Sequence, residues 1–149
     1  NRLYTNKTPT YTCTNTDDKF TVDSSTGNGK LTYPIALMTA DEIVYAGGVA
    51  YESAPMWYYT NSSLESSTGD TDWFSLSPSF WDSTSSRVFF VLGHSGSSNP
   101  SPGNLVENDG VAIARVVRPV LSLKSFIKYS TGNGTFNAPY EILETVTGC

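Results

Sequence analysis

A near-continuous apolar run at residues 87–92, Arg-Val-Phe-Phe-Val-Leu, constrains the fold more than any other feature. A short apolar run bounded by turn-forming residues is typical of a strand in the interior of a sheet. Ser, Gly and Pro follow this run in a predicted loop from residue 93 to 104. We therefore expect a sheet with this strand at a central position. Alternation along the strand predicts that Phe89 and Phe90 point to opposite faces.

One short helix is predicted directly after residue 38. Thr39 and Glu42 have the spacing of a capping box, in which the N-cap hydroxyl and the glutamate carboxylate each accept from a backbone amide of the other residue. Ile43 lies on the expected inner face. Gly47 and Gly48 predict the end of the helix after about two turns, because glycine adopts positive φ without strain.

Shorter patterns predict further strands and turns. Pro34 interrupts the apolar stretch 31–38, as an edge strand tolerates. Ser-Thr-Gly-Asn-Gly occurs at both 25–29 and 130–134, which predicts two similar glycine turns leading into neighbouring strands near the chain ends. Residues 107–109 are interpreted as a turn. The other predicted strand segments are 19–22, 111–117 and 120–123.

Composition favours a single folded domain over residues 1–149, the usual size of one domain. Aromatic residues make up 13% of the chain and charged residues only 15%, which excludes a disordered composition. Ser and Thr fill 38 positions, as is typical of extracellular or cell-surface recognition domains. The net charge of −5 argues against a nucleic-acid partner. No apolar run reaches 18 residues, so we expect no membrane span.

Two cysteines, Cys13 and Cys149, stand near opposite ends of the sequence. They do not form a zinc motif, since zinc needs about four ligands and His94 is the only histidine. We expect a disulfide between them, because the Ser/Thr-rich, Lys-poor composition indicates an oxidising compartment. Because this disulfide would close a loop of almost the whole chain, it would raise the free energy of unfolding by about 4–5 kcal/mol. The alternative is two unrelated thiols.

Motifs for catalysis, metals or cofactors are weak. Residues 93–97 superficially match a nucleophile elbow, but Ser97 occupies the last glycine position and a loop follows. Two acidic pairs, Asp70/Asp72 and Glu107/Asp109, could in principle act as the two carboxylates of a glycosidase. Both pairs flank predicted turns, and neither has an apolar pocket that would raise the pKa of one carboxyl group. Residues 107–109 also lack the ordered spacing of a calcium loop. We therefore expect no enzymatic activity and no cofactor or metal.

Aromatic residues beside polar loops are the best candidates for ligand contact. Their rings offer rigid contact area, and neighbouring Ser, Gly and Asn offer adaptable hydrogen bonds. Trp73, by contrast, lies in an apolar run and is expected in the core. The alternative to ligand contact for these aromatic residues is that they pack inside the fold. The residues expected to bind a glycan or protein ligand are Trp57, Tyr58, Tyr59, Trp81, His94 and Asn104.

The order of several short motifs resembles a known family. WFSLSP at 73–78, an apolar strand, a glycine-containing turn and VRPV at 117–120 are similar to the C-terminal half of bacterial C-type-lectin-like domains. That group includes formylglycine-generating-enzyme-like folds and the variable proteins of diversity-generating retroelements. Residues 132–142 also resemble the end of domains on bacterial secreted or surface proteins, some of them behind a pilin-like helix. The resemblance covers residues 31–142.

This resemblance implies a C-type-lectin-like α+β fold, mostly antiparallel β with one or two short helices, whose terminal strands meet. Long loops around 57–62, 81–86 and 94–109 would present a binding face, and Arg118 would be structural. The calcium motif of animal lectins and the cysteine pair of the formylglycine-generating enzymes are absent, so no catalytic residue transfers. The function implied is a non-enzymatic ligand-binding module of a bacterial surface or secreted protein. The alternative is the head domain of a pilin-like or other filament subunit.

Overall fold

A computed structural model describes residues 2–50, 72–93, 104–123, 126–135 and 137–143. Within these ranges it contains one α-helix, one short 3-10 helix at Thr16–Asp18 and eight strands. The helix α1 is Ala40–Tyr45, and the strands are β1 Ile35–Leu37, β2 Val49–Ala50, β3 Trp73–Trp81, β4 Ser86–Val91, β5 Asn104–Gly110, β6 Pro119–Leu121, β7 Tyr129–Thr131 and β8 Glu141–Ile142.

The largest element is a four-stranded sheet in the order β2-β5-β4-β3. The β2–β5 pair is parallel, and the β5–β4 and β4–β3 pairs are antiparallel. Strand β4 contains most of the apolar run at 87–92 and lies between two neighbours, which confirms the predicted central position. Strand β3 is an edge strand, where Pro78 is tolerated because an edge position need not donate a ladder hydrogen bond.

Two smaller antiparallel ribbons accompany the sheet. One pairs β1 with β6 and places Ile35 opposite Leu121. The other pairs β7 with β8. The two glycine turns therefore do not lead into strands that pair with each other. The turn at 24–29 bonds back to the segment before it, since the amide of Asn28 donates to the carbonyl of Lys19 at 2.9 Å.

The helix begins as the sequence predicts. Thr39 Oγ1 accepts from the amide of Glu42 at 3.1 Å, and Glu42 Oε2 accepts from the amide of Thr39 at 2.7 Å, completing the capping box. The chain leaves the helix through Gly47, whose φ of +95° is strained for residues with a Cβ. The buried core joins this helix to the N-terminal segment and the sheet through Leu3, Ala40, Ile43, Trp73, Val91 and Leu105.

Three predicted segments were wrong in detail. Residues 19–22 form bends rather than a strand, because their backbone groups bond to the glycine turn. Residues 107–109 are not a turn but part of β5, where pairing with β4 outweighs the turn propensity of Asn and Asp. Residues 111–117 are mainly turn and irregular backbone, joined to β3 by a single bridge between Val116 and Trp73.

The coarse class expected from the sequence is confirmed: strands that are mostly antiparallel are combined with one short helix in an α+β arrangement. In the part of the chain that the structure describes, no helix has the length and hydrophobicity to cross a bilayer.

Candidate functional site

Trp81 is the predicted binding residue that the structure places at an accessible position. It is the last residue of β3 and is 65% exposed. Its cross-strand partner is Ser86, and the preceding Phe80, also exposed, pairs with Arg87. We call residues 80–87 the Trp81 hairpin. Its two aromatic residues and the hydroxyl residues Ser83, Thr84 and Ser86 are all exposed.

The turn of the Trp81 hairpin is fixed by the carboxylate of Asp82. Its Oδ1 accepts from the amides of Thr84 and Ser85 at 3.1 and 2.7 Å and from the Thr84 hydroxyl at 2.8 Å. Its Oδ2 accepts from Nε and Nη2 of Arg87 at 2.8 and 2.7 Å. These bonds, led by the Thr84 hydroxyl and the Arg87 guanidinium, hold the pKa of Asp82 far below its usual value of 3.8. The hairpin is therefore ordered before any ligand arrives.

Asn104 does not share a surface with Trp81. It is only 7% exposed, begins β5, and its carbonyl accepts from the amide of Leu92 at 3.0 Å. This is the sheet end where Val91 pairs with Leu105, whereas Trp81 pairs with Ser86. Five strand residues, about 17 Å, separate the two ends. The structure therefore does not bring these two predicted binding residues together.

The other predicted binding residues, Trp57, Tyr58, Tyr59 and His94, lie outside the described residues. So does Cys149. Cys13 is half-buried, and its Sγ lies 3.2 Å from the carbonyl oxygen of Asn15. The disulfide between the two cysteines stays a prediction.

The opposite end of β3 is a packed structural cluster. Trp73 is fully buried, as expected, and the Arg118 guanidinium carbon lies 5.2 Å from its ring centroid. Asp72 Oδ1 accepts from the amide of Gly93 at 2.8 Å, and its Oδ2 lies 3.4 Å from Arg115 Nη1. Arg118 is 3% exposed. Arg118 thus packs on a core tryptophan, and the structural role that the family resemblance implies for it stays a prediction.

Sequence reasoning missed a second accessible surface, a cleft of about 770 Å³ beside α1. We call it the α1 cleft. We call Tyr11 and Cys13 its first wall, the lining residues 18–23 and 26 its second wall, and Met38 and Leu76 its floor. No local pattern could have revealed it, since its walls come from segments that meet only in the folded chain. Its remaining lining residues are Leu31, Pro34, Ala36, Leu37, Thr39, Glu42, Ala46, Val120, Leu121 and Ser122.

The described residues contain no group of three or more His, Cys, Asp or Glu side chains able to hold a metal ion. No family model, curated protein or solved structure matches this chain.

Proposed function

We propose that this chain is an extracellular, non-enzymatic ligand-binding module of a bacterial surface or secreted protein. The single observation that carries the proposal is the exposed indole of Trp81 on an ordered hairpin. A tryptophan buries up to about 250 Å² on contact and supplies both an apolar face and an N–H donor. Such residues are the usual anchors of binding surfaces.

The order of the Trp81 hairpin supports this proposal energetically. Binding is weakened by the entropy lost when flexible side chains and loops become ordered. Here the Asp82 carboxylate already fixes the turn, so little of that loss falls on the backbone. Ser83 and Thr84 are exposed in the same turn: the Ser83 hydroxyl can donate or accept a hydrogen bond, and the Thr84 hydroxyl, which donates to Asp82, can accept one. An aromatic face next to hydroxyl groups suits a glycan or a polar protein loop.

The same bonds favour binding over catalysis at this hairpin. Both oxygens of Asp82 are engaged by protein donors, and its low pKa keeps it ionised at neutral pH. A general acid or base needs a pKa near the working pH and a free position toward its substrate. We propose for the whole domain the C-type-lectin-like arrangement that the motifs at 73–78 and 117–120 imply, in which irregular segments carry the binding face.

The experiment is a glycan-array screen of the wild-type chain, repeated with Trp81→Ala. We expect wild-type signals to fall at least about tenfold in the variant, since an anchoring tryptophan commonly contributes 2 kcal/mol or more. Tyr33→Ala is the matched control, because Tyr33 is equally exposed but lies outside the hairpin. Equal signals for Trp81→Ala and wild type would contradict the assignment, and turnover of a bound glycan would contradict the non-enzymatic proposal.

A second candidate, the head domain of a surface-filament subunit, is favoured by the β7–β8 ribbon. All five of its strand residues are exposed. The rings of Tyr129 and Tyr140 pack at an angle of 58° with centroids 4.8 Å apart, and Ile142 adds further exposed apolar surface. An isolated two-stranded ribbon is marginal in water, and packing against a neighbouring subunit would cover its apolar side chains.

Sedimentation velocity over a range of concentrations tests this second candidate. A filament subunit should form larger species as concentration rises, and Ile142→Lys should reduce this assembly, whereas Thr131→Lys on the same ribbon should reduce it less. A wild-type chain that stays monomeric throughout would exclude assembly through this ribbon.

A further inference from the structure

We propose that the α1 cleft binds a short extended peptide of a partner protein in which basic side chains alternate with apolar ones. This goes beyond the function proposed above, because the cleft and the Trp81 hairpin share no residue.

The size and the walls of the cleft suit such a ligand. Its volume of about 770 Å³ lies in the usual range for binding sites. Met38 and Leu76 belong to its floor, while Phe20 and Val22 line one wall and keep about half of their surface exposed. Solvated apolar side chains around a concave surface gain free energy when a ligand covers them.

The charge of the cleft selects a cationic partner. Asp18, Asp23 and Glu42 line it, against a single basic side chain, Lys19. These carboxylates accept hydrogen bonds from uncharged groups: Asp18 from the side-chain amide of Asn15 at 2.9 Å, Asp23 from the backbone amide of Ser25 at 2.7 Å, and Glu42 from the backbone amide of Thr39 at 2.7 Å. None of the three forms an ion pair within the described residues. An incoming Lys or Arg would complement them.

The first wall is in place before binding. Arg2 makes a two-pronged ion pair with Asp41 at the start of α1, and Asp41 Oδ1 also accepts from the amide of Thr10 at 2.8 Å. One residue further, Tyr11 packs against Tyr45 with ring centroids 4.5 Å apart. The N-terminal segment is thus joined to the helix through Arg2, Thr10 and Tyr11, and Tyr11 itself lines the cleft.

The second wall is fixed by the glycine turn at 24–29. The amide of Leu31 donates to the carbonyl of Thr21 at 3.2 Å, and the amide of Gly29 donates to the hydroxyl of Thr21 at 3.2 Å. A Cβ on Gly27 would lie 2.3 Å from Thr21 Oγ1, so only glycine allows this close packing. The Ser-Thr-Gly-Asn-Gly sequence recurs at 130–134, but only the copy at 25–29 contributes to the α1 cleft.

An extended peptide fits better than a compact small molecule. Residues of both β1 and β6 line the cleft, and these two strands form a ribbon of their own. Strand β1 also lies beside β3, where the amide of Leu76 donates to the carbonyl of Met38 at 2.8 Å, but β6 has one backbone edge with no further strand beside it in the described part of the chain. Peptides commonly add to such edges, with main-chain bonds giving affinity and alternate side chains giving specificity.

Calorimetric titration with three acetylated, amidated pentapeptides tests the proposal: Leu-Lys-Leu-Lys-Leu, Leu-Ser-Leu-Ser-Leu and Leu-Glu-Leu-Glu-Leu. We expect the lysine peptide to bind about tenfold more tightly than the serine peptide, and the glutamate peptide more weakly than both. The preference should shrink between 50 mM and 500 mM salt, because salt screens charges at the rim of the cleft.

The triple variant Asp18→Asn, Asp23→Asn, Glu42→Gln removes the charges and keeps a carbonyl oxygen to accept each hydrogen bond. We expect it to bind the lysine peptide about fivefold more weakly and to retain the wild-type circular-dichroism spectrum. Asp17→Asn is the matched control, because Asp17 is an adjacent acid that does not line the cleft. Its affinity should equal that of the wild type.

Equal affinity for the lysine and glutamate peptides would overturn the proposal, as would no binding of the lysine peptide at 1 mM. Hexylammonium binding as tightly as the lysine peptide would overturn the choice of a peptide ligand. Because none of these titrations involves the Trp81 hairpin, their failure leaves the glycan-array result unaffected.

Discussion

Trp73 and Trp81 occupy the two ends of the same strand and have opposite environments. Trp73 begins β3 and is fully buried under Arg118, whereas Trp81 ends β3 and is 65% exposed. They are eight residues apart, so a regular strand would place both on one face. The difference shows that the course of the strand, rather than the residue type, decided which tryptophan is buried.

The cause is a pair of irregularities in β3. The register shifts between Phe74 and Pro78 and again between Pro78 and Phe80. As a result, the nine residues of β3 run beside only six residues of β4. Trp73 pairs with Val91 and Trp81 with Ser86, which are five residues apart on β4 and therefore on opposite faces. Bulges of this kind re-aim side chains near functional sites.

Removing the buried tryptophan gives the largest expected effect. Trp73→Ala should lower the free energy of unfolding by about 3–5 kcal/mol, because it empties a core position and takes away the aromatic surface under Arg118. Urea denaturation followed by circular dichroism measures the loss. A change below about 1 kcal/mol would show that the two ends of β3 are energetically alike and would break the comparison.

Ser75 lies in the irregular middle of β3. Its buried hydroxyl donates to the carbonyl of Phe89 at 2.8 Å and accepts from the amide of Ser77 at 3.2 Å. Ser75→Ala should lower the free energy of unfolding by about 1–2 kcal/mol, because the Phe89 carbonyl and the Ser77 amide each lose a hydrogen-bond partner in a partly buried position. Ser79→Ala serves as control, because no bond of its buried hydroxyl to a described residue is present. A neutral Ser75→Ala would mean that the bulge forms without this bond.

Acid should loosen the Trp81 end of the strand. The folded-state pKa of Asp82 is depressed, so its stabilising contribution is fully present well above 3.8 and is lost progressively as the pH falls below that value. We expect the melting temperature of the wild type to fall more steeply below pH 4 than that of Asp82→Asn, whose side chain does not titrate. Parallel curves for the two proteins would show that the carboxylate does not stabilise the turn.

The smallest stability effect is expected for Trp81→Ala. Surface substitutions away from packed or bonded features usually change stability by less than about 0.5 kcal/mol. The same urea measurement used for Trp73→Ala provides the direct comparison. A loss of several kcal/mol would mean that Trp81 contributes to packing, and the proposal that it contacts a ligand would then lose its basis.

The sequence by itself determined the features that local interactions control. Thr39 and Glu42 are three residues apart, so their capping box could be predicted without knowing any neighbour. The apolar run at 87–92 predicted a central strand, because a segment without polar alternation must be covered on both faces. The burial of Trp73 followed from its apolar surroundings in the same way.

Only the tertiary structure decided where the accessible surfaces lie. Asn104 was expected in a binding loop, yet pairing with the apolar strand drew it into the sheet, and residues 107–109 followed it into β5. The bulges that turn Trp81 outward depend on the register between two strands, which no short pattern encodes. The α1 cleft exists because segments far apart in the chain meet around the helix. Local spacing fixes caps and turns, whereas long-range pairing fixes surfaces.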